Sequence, residues 1–353
     1  MSTVKWLALS AMLVQNAAFV LVMRYSRVQQ QGKASPSQQY SISMVVVWQE
    51  AFKFVVCYLV QAWLLRAPVQ AAALLFNAME LSRLAVPALC FTLQNNLLYI
   101  ALSNLHPLIF QITYQVKTIL TALLSVKMLG RSLTQWQWLS QIMLTVGIVM
   151  VQLGDQAQQM GKAEDAFSNS SRNLLLGLSA VLIAASSSSF ASVYFERLLK
   201  GNHSAPKIGS SEVPRPNGTS AAASSLWHRN MQLCAWTVPC NVVLAVLQSS
   251  TMEAGALDVL RWPTRGFDWS TWGVVIVNGI GGLLVAVVIK YADNIWKGFS
   301  TAGAIVVTGL LAPVLGLGSA VTLPMLAGAA LVICALLLYA MPTSSVSLGR
   351  GAL

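Results

Sequence analysis

Residues 110–124 read FQITYQVKTILTALL, and the lysine in their middle, Lys117, decides which solvent the chain is folded for. A lone ammonium is rare in a soluble core unless an anion pairs with it. At the centre of a membrane helix it costs roughly 2.5–3.5 kcal/mol on an insertion scale. Composition settles the choice. Of 353 residues, 56% are hydrophobic and 9% charged, whereas about a quarter of a soluble domain is charged. The charges cluster, leaving apolar stretches near the ~20 residues a helix needs to cross hydrocarbon. Ten spans are expected, at 5–23, 42–65, 84–104, 107–126, 134–153, 174–195, 231–250, 270–289, 298–317 and 322–341. They use most of the chain, so an all-α protein of the lipid bilayer is expected, without a sizeable soluble domain.

The apolar run Leu7–Met23 is long, and RYSR follows it instead of a small-residue cleavage site, so it is expected to be the first span. The cysteines, at 57, 90, 234, 240 and 334, fall within spans and form no C-x-x-C. They read as small apolar residues, and neither a metal site nor a cofactor is expected.

The net charge of +11 reads as topology and not as nucleic-acid binding. Lys and Arg number 13 on the side shared by the termini, 7 on the other, and 2 (Lys53 and Lys117) within spans. The positive-inside rule therefore places both termini in the cytosol. The Ser-, Pro-, Gly- and Asn-rich stretch 196–230 is expected to be a disordered cytosolic linker between spans 6 and 7.

Ten spans divide into two sets of five, an odd number that makes inverted repeats. The expected units are 1–155 and 172–345. One internal match supports this. NNLLYIALSNLHPLIFQ (95–111) aligns with GGLLVAVVIKYADNIWK (281–297), placing Leu97 and Leu98 on Leu283 and Leu284 and Phe110 on Trp296.

Four polar groups stand out in the spans. Glu50 and Lys53 share a helix face and can pair, as a structural pin or as a gate. Gln94, Asn95 and Asn96 cannot all face lipid with their hydrogen bonds unmade; they bond neighbouring helices or a polar ligand. Tyr114 and Lys117 lie one turn apart, and Lys117 is too deep to snorkel easily. With Glu50 committed to Lys53, an anionic ligand is its expected partner. In KYADNIWKGF (290–299), Lys290 and Lys297 make either an ordinary turn or a phosphate clamp with Gly298, read as a helix start whose free N–H groups attract anions. Ser186–Ser189 read as small residues for close helix packing.

Several strings resemble the nucleotide-sugar transporter family of the drug/metabolite transporter superfamily, in the branch that carries UDP-galactose, UDP-N-acetylglucosamine and CMP-sialic acid. They are VKW, RYSR, the E-x-x-K of span 2, QNNLLYIALSNL, FQITYQVKTILTALLSVKMLGRSLTQWQW, VYFERLLK, WHRNMQL and GGLLVAVVIKYADNIWKGFS, running from span 1 to span 9. The resemblance implies the ten-helix fold of that superfamily and a cavity open alternately to cytosol and Golgi lumen. It implies nucleotide binding by Asn95, Asn96, Tyr114 and Lys117, with Lys290 and Lys297 facing the phosphates. Its expected partners are a nucleotide sugar and a nucleoside monophosphate, exchanged across the Golgi membrane or that of the endoplasmic reticulum; a homodimer is left open. Ser189 and Ser192 stand where the family often has glycine. Cys234 stands where the CMP-sialic acid branch tends to have tyrosine, which favours UDP-sugars, UDP-galactose first, over a CMP-sialic acid exchanger. The rival class is a membrane enzyme of lipid-linked sugar transfer. It would need metal-binding carboxylates or a catalytic His or Asp, and no D-x-D or D-D-x-x-D occurs.

Overall fold

The computed structural model describes residues 2–31, 42–105, 107–167, 173–200, 219–250, 261–316 and 321–341. Among them there is no strand, and twelve helices follow in order. These are α1 (Ser2–Gln31), α2 (Ile42–Leu65), α3 (Pro68–Leu75), α4 (Ala78–Asn104), α5 (Pro107–Tyr114), α6 (Val116–Leu129), α7 (Gln135–Phe167), α8 (Leu174–Lys200), α9 (Thr219–Ser250), α10 (Trp269–Tyr291), α11 (Asn294–Val314) and α12 (Leu323–Ala340). Ten stretches are long and apolar enough to cross a membrane, as expected. Spans 1 to 3 are α1, α2 and α4, α5 with α6 makes span 4, and α7 to α12 are spans 5 to 10. Crossing alternately, they bring Ser2 and Ala340 to one end of the bundle, the termini end.

Helix ends differ from the sequence expectation where polar residues cap them or where helices outrun the apolar stretch. Span 3 starts at Ala78 because Asn77, in extended conformation, accepts the N–H of Glu80 and caps the helix. Span 9 starts at Asn294, capped by Asp293. Of the expected linker, 196–200 and 219–230 are helical, and 201–218 lie outside the described residues. Span 4 tightens in its middle: the Gln115 N–H bonds the Ile112 carbonyl at 3.1 Å, and Thr118 N–H the Gln115 carbonyl at 2.9 Å. This three-residue spacing is a 3₁₀ turn inside an α-helix, a local geometry common at functional sites.

The apolar core has two main parts. One joins α1, α6, α7, α10, α11 and α12 around Leu144, Phe299 and Tyr339. The other joins α4, α8, α9 and α10 around Leu84, Phe195 and Ile289. Large apolar side chains such as Trp63, Leu175 and Leu247 point outward instead, as a lipid-facing surface requires. Span 3 packs on 6 and span 8 on 1; span 4 packs on 6 and 9 on 1; span 3 packs on 7 and 8 on 2. Spans 2 and 7, and 5 and 10, also pair. Exchanging span n with span n+5 maps this set of pairs onto itself.

Without a hydrophobic drive between helices in lipid, close backbone contact holds such pairs. Between α7 and α12, a Cβ built on Gly328 would lie 2.6 Å from the Gly147 carbonyl oxygen, and one on Gly147 2.9 Å from Val332 Cγ2. A side chain here has to force the helices apart. Gly328→Leu is expected to destabilise by about 1–3 kcal/mol, the usual effect of overpacking, read as a lower melting temperature in detergent. Gly298→Ala, where nothing lies within 4 Å of a Cβ, is expected to leave that temperature unchanged or raise it, since Ala favours helix over Gly.

Candidate functional site

A cavity of about 290 Å³ lies between the helices, with walls from α2, α4, α6, α8, α9, α10 and α11. Its polar lining arises where helical periodicity turns the few polar side chains of apolar helices to one face. On α2, Gln49, Glu50 and Lys53 share that face. Glu50 Oε1 lies 2.5 Å from Lys53 Nζ. Its Oε2 accepts from Thr237 Oγ1 at 2.7 Å and, weakly, from Cys234 Sγ at 3.8 Å. The pair is thus internally neutral and tied to α9. Gly282 on α10 makes room for it: a Cβ there would lie 2.6 Å from Lys53 Cδ.

Two further lysines line the cavity, Lys117 from α6 and Lys297 from the start of α11. Lys117 Nζ donates to the Tyr114 hydroxyl at 3.2 Å and lies 5.2 Å from the centre of that ring. Its carbonyl accepts from Thr121 Oγ1 at 2.8 Å and Ser189 Oγ at 3.1 Å, which locks the tightened part of span 4 against α8. Lys297 Nζ donates to Ser192 Oγ at 3.4 Å. Among the described residues, no carboxylate forms an ion pair with either lysine. Three neutral polar atoms in the same wall, Thr92 Oγ1, Gln94 Oε1 and Ser188 Oγ, are buried without a hydrogen-bond partner. Buried polar groups are ordinarily satisfied, so the wall has spare hydrogen-bonding capacity for a polar guest.

Of the residues singled out in the sequence, Glu50, Lys53, Asn95, Lys117 and Lys297 meet at this cavity. Tyr114 does not line it but braces Lys117, with its ring stacked on Phe110 at 5.8 Å. Asn96 turns its amide back to the Thr92 carbonyl, 3.3 Å away on its own helix. Lys290 is outside the lining, because the chain reverses at Ala292 between it and Lys297. Gly298 lies inside α11 and not at a free helix start. Two N–H groups at the start of α11 already have carboxylate partners: Trp296 N–H donates to Asp293 at 2.8 Å and Asn294 N–H to Glu196 at 3.2 Å.

The sequence reading passed over Gln49, Thr92, Asn230, Thr237 and Asn241, and took Ser188 for packing. Asn230, Thr237 and Asn241 are seven and four residues apart, so one face of α9 carries all three to the cavity. That spacing was visible in the sequence.

The nucleotide-sugar transporter family model matches residues 1–208 and 219–340. The UDP-galactose translocator of Bos taurus is 37% identical over 344 residues, covering 96% of this chain and 78% of its own length. The Homo sapiens UDP-galactose translocator is also 37% identical, over 348 residues, with 96% and 77% covered. The UDP-N-acetylglucosamine transporter of Rattus norvegicus is 35% identical over 344 residues, with 96% and 95% covered. A protein of known crystal structure, 14% identical, superimposes with a TM-score of 0.60 over 94% of this chain and 98% of its own, a likeness of fold alone.

The Glu50–Lys53 pair gives a direct test. Glu50→Ala leaves Lys53 unpaired and is expected to destabilise by about 3 kcal/mol, as breaking a buried ion pair does. Adding Lys53→Met is expected to recover most of that loss. A thermal double-mutant cycle in detergent measures the coupling.

Proposed function

Because the chain belongs to the nucleotide-sugar transporter family, we propose that it is a Golgi-membrane antiporter that brings a UDP-sugar into the lumen in exchange for UMP, with both termini in the cytosol. UDP-galactose is the first candidate and UDP-N-acetylglucosamine the second. It is a transporter and not an enzyme. The observation that carries the reading is the pair Lys117 and Lys297, which face one cavity with no paired carboxylate among the described residues. Glu50 and Lys53 cancel each other, so these two lysines leave the site about two charges positive. The diphosphate of a UDP-sugar carries two negative charges, and UMP carries nearly as many.

Phosphate oxygens form short, charge-assisted bonds with ammonium groups. They are stronger in a cavity of low dielectric than in water. Occluding the empty site would bury two uncompensated cations, whereas a loaded site is neutral. That difference favours exchange over one-way carriage. Asn95, Gln94, Thr92 and Ser188 then offer hydrogen bonds to the base and ribose. UDP-sugars are favoured over CMP-sialic acid because the relatives described above are named for UDP-sugars, and because Cys234, behind Glu50 of the cavity wall, stands where the other branch tends to have tyrosine. The symmetric set of span pairs supports the inverted-repeat relation of 1–155 and 172–345.

In proteoliposomes preloaded with UMP, labelled UDP-galactose uptake is expected in the native protein and absent from Lys117→Ala. Near-normal uptake by that variant would overturn the phosphate role of Lys117. Lys117→Met is expected to raise the melting temperature of the empty protein by removing an uncompensated charge, and to abolish its rise on adding UMP.

The sequons at Asn169, Asn202 and Asn217 test the topology, although all three lie outside the described residues. Glycosylation occurs in the lumen, where the proposed orientation places only Asn169. A glycosidase shift lost in Asn202→Gln or Asn217→Gln would invert the orientation.

A further inference from the structure

Between the cavity and the termini end, charged groups from three separated segments converge. Glu196, one turn beyond Ser192 on α8, is fully buried. Its Oε1 pairs with Arg131, from the turn between α6 and α7, and with Lys200 at 2.7 Å. Its Oε2 accepts from the Asn294 backbone N–H at 3.2 Å and from Asn294 Nδ2 at 2.8 Å. Arg131 also lies 2.9 Å from Asp293, the residue that caps α11. Lys200 donates to the Ala292 carbonyl at 2.7 Å. A guanidinium can hold two carboxylates at once through its planar fork of donors, and here it fastens α8 to the α10–α11 turn.

The register of this cluster matters more than its strength. On α8, Ser192 and Glu196 are one turn apart; on α11, Asn294 and Lys297 are one turn apart. The two helices therefore meet in consecutive rungs. Lys297 with Ser192 forms the cavity rung. Asn294 with Glu196, and with the Ser192 carbonyl at 2.8 Å, forms the outer one. A path from the termini end into the cavity has to part this seam, and parting it strips a buried carboxylate of its partners. Buried charges left that way are strongly disfavoured, so the cluster holds the seam shut. A phosphate that draws Lys297 from Ser192 removes the inner rung and leaves the ionic one to decide.

We propose that Arg131, Glu196 and Asp293 form the cytosolic gate of the transport cycle, closed in this structure, and that the Ser192–Lys297 contact links the gate to occupancy of the cavity. The proposal rests on the transporter reading above.

Asp293→Asn tests it with little damage, because Asn is as good a helix cap as Asp but removes one of the two charges that hold Arg131. Proteoliposomes of known orientation report the KM for UMP applied to each face. A weakened cytosolic gate raises the population open to the cytosol, and apparent affinity follows that population. The ratio of lumenal to cytosolic KM is expected to rise roughly three- to tenfold in Asp293→Asn and further in Arg131→Gln. Arg131→Lys keeps the charge but cannot fork to two carboxylates, and is expected to behave like Asp293→Asn. An unchanged ratio in Asp293→Asn overturns the gate whatever Arg131→Gln does, including failure to fold. Equal shifts on both faces also overturn it, since a purely structural role changes both alike. If the native protein shows no UMP binding from either face, the transport reading itself fails.

Discussion

An ammonium group inside hydrocarbon persists only beside an anion, water or a polar cradle, and that constraint shapes the centre of this bundle. Lys117 has a tyrosine hydroxyl and Lys297 a serine hydroxyl, neither of which cancels a charge. The helices around them must therefore leave polar space, and they do so mainly with side chains, beside the one tightened turn at Gln115. Among the described residues, Glu50 is the one carboxylate in the cavity wall, and it is spoken for on both oxygens, by Lys53 and by Thr237. Its neutralisation by a lysine on its own helix keeps it away from Lys117 and preserves the positive balance of the cavity. Had Glu50 stood one residue along α2, it would have pointed to another face and left Lys53 unpaired as a third cation beside Lys117 and Lys297.

The scaffold can hold such a site because its rigidity comes from elsewhere. The α7–α12 seam lets backbones touch through Gly147 and Gly328. The aromatic contacts of Trp296 with Tyr339, at 5.1 Å, and with Trp6, at 5.2 Å, tie α11 to α12 and α1. These contacts hold the first turn of α11 from outside the cavity. Lys297 sits on the inner side of the same turn, so the turn is anchored on one side and exposed to a guest on the other.

The spans were legible because the bilayer imposes one length and one composition on every crossing. Their ends were not, because a helix ends where a cap or a tertiary bond ends it. Asn77 adds residues to span 3, and Asp293 starts span 9 at Asn294 instead of 298. That second shift carried the assignment of Gly298 with it: the helix start it was meant to mark had moved four residues upstream and met two carboxylates. The charged residues and the amide run Gln94–Asn96 were legible as a site, since each is conspicuous in an apolar run, whereas the isolated amides Gln49, Asn230 and Asn241 were not. Hydroxyls were not. Ser188 and Thr237 look like packing residues in any membrane helix, and only the cavity distinguishes them. Lys290 and Lys297 looked equivalent in sequence, and a chain reversal at Ala292 and Asp293 separates them.

Under the repeat relation, the symmetry of the scaffold and the asymmetry of its charges do different work. At the offset of 186 that aligns 95–111 with 281–297, Lys117 corresponds to Gly303, and Lys297 to Gln111. Asn96 corresponds to Gly282, which gives its space to Lys53. Under that relation the helix framework is matched between halves, as the proposed exchange between two open states would require, while the polar groups of the cavity are not. A symmetric site would hold a nucleotide sugar equally well in two opposed orientations. In the proposed site, one cation at mid-span and the other beside the Arg131–Glu196–Asp293 cluster would hold the anionic part of the ligand nearer the termini end. The same placement puts Lys297, the proposed phosphate ligand, one helical turn from the ions of the proposed gate.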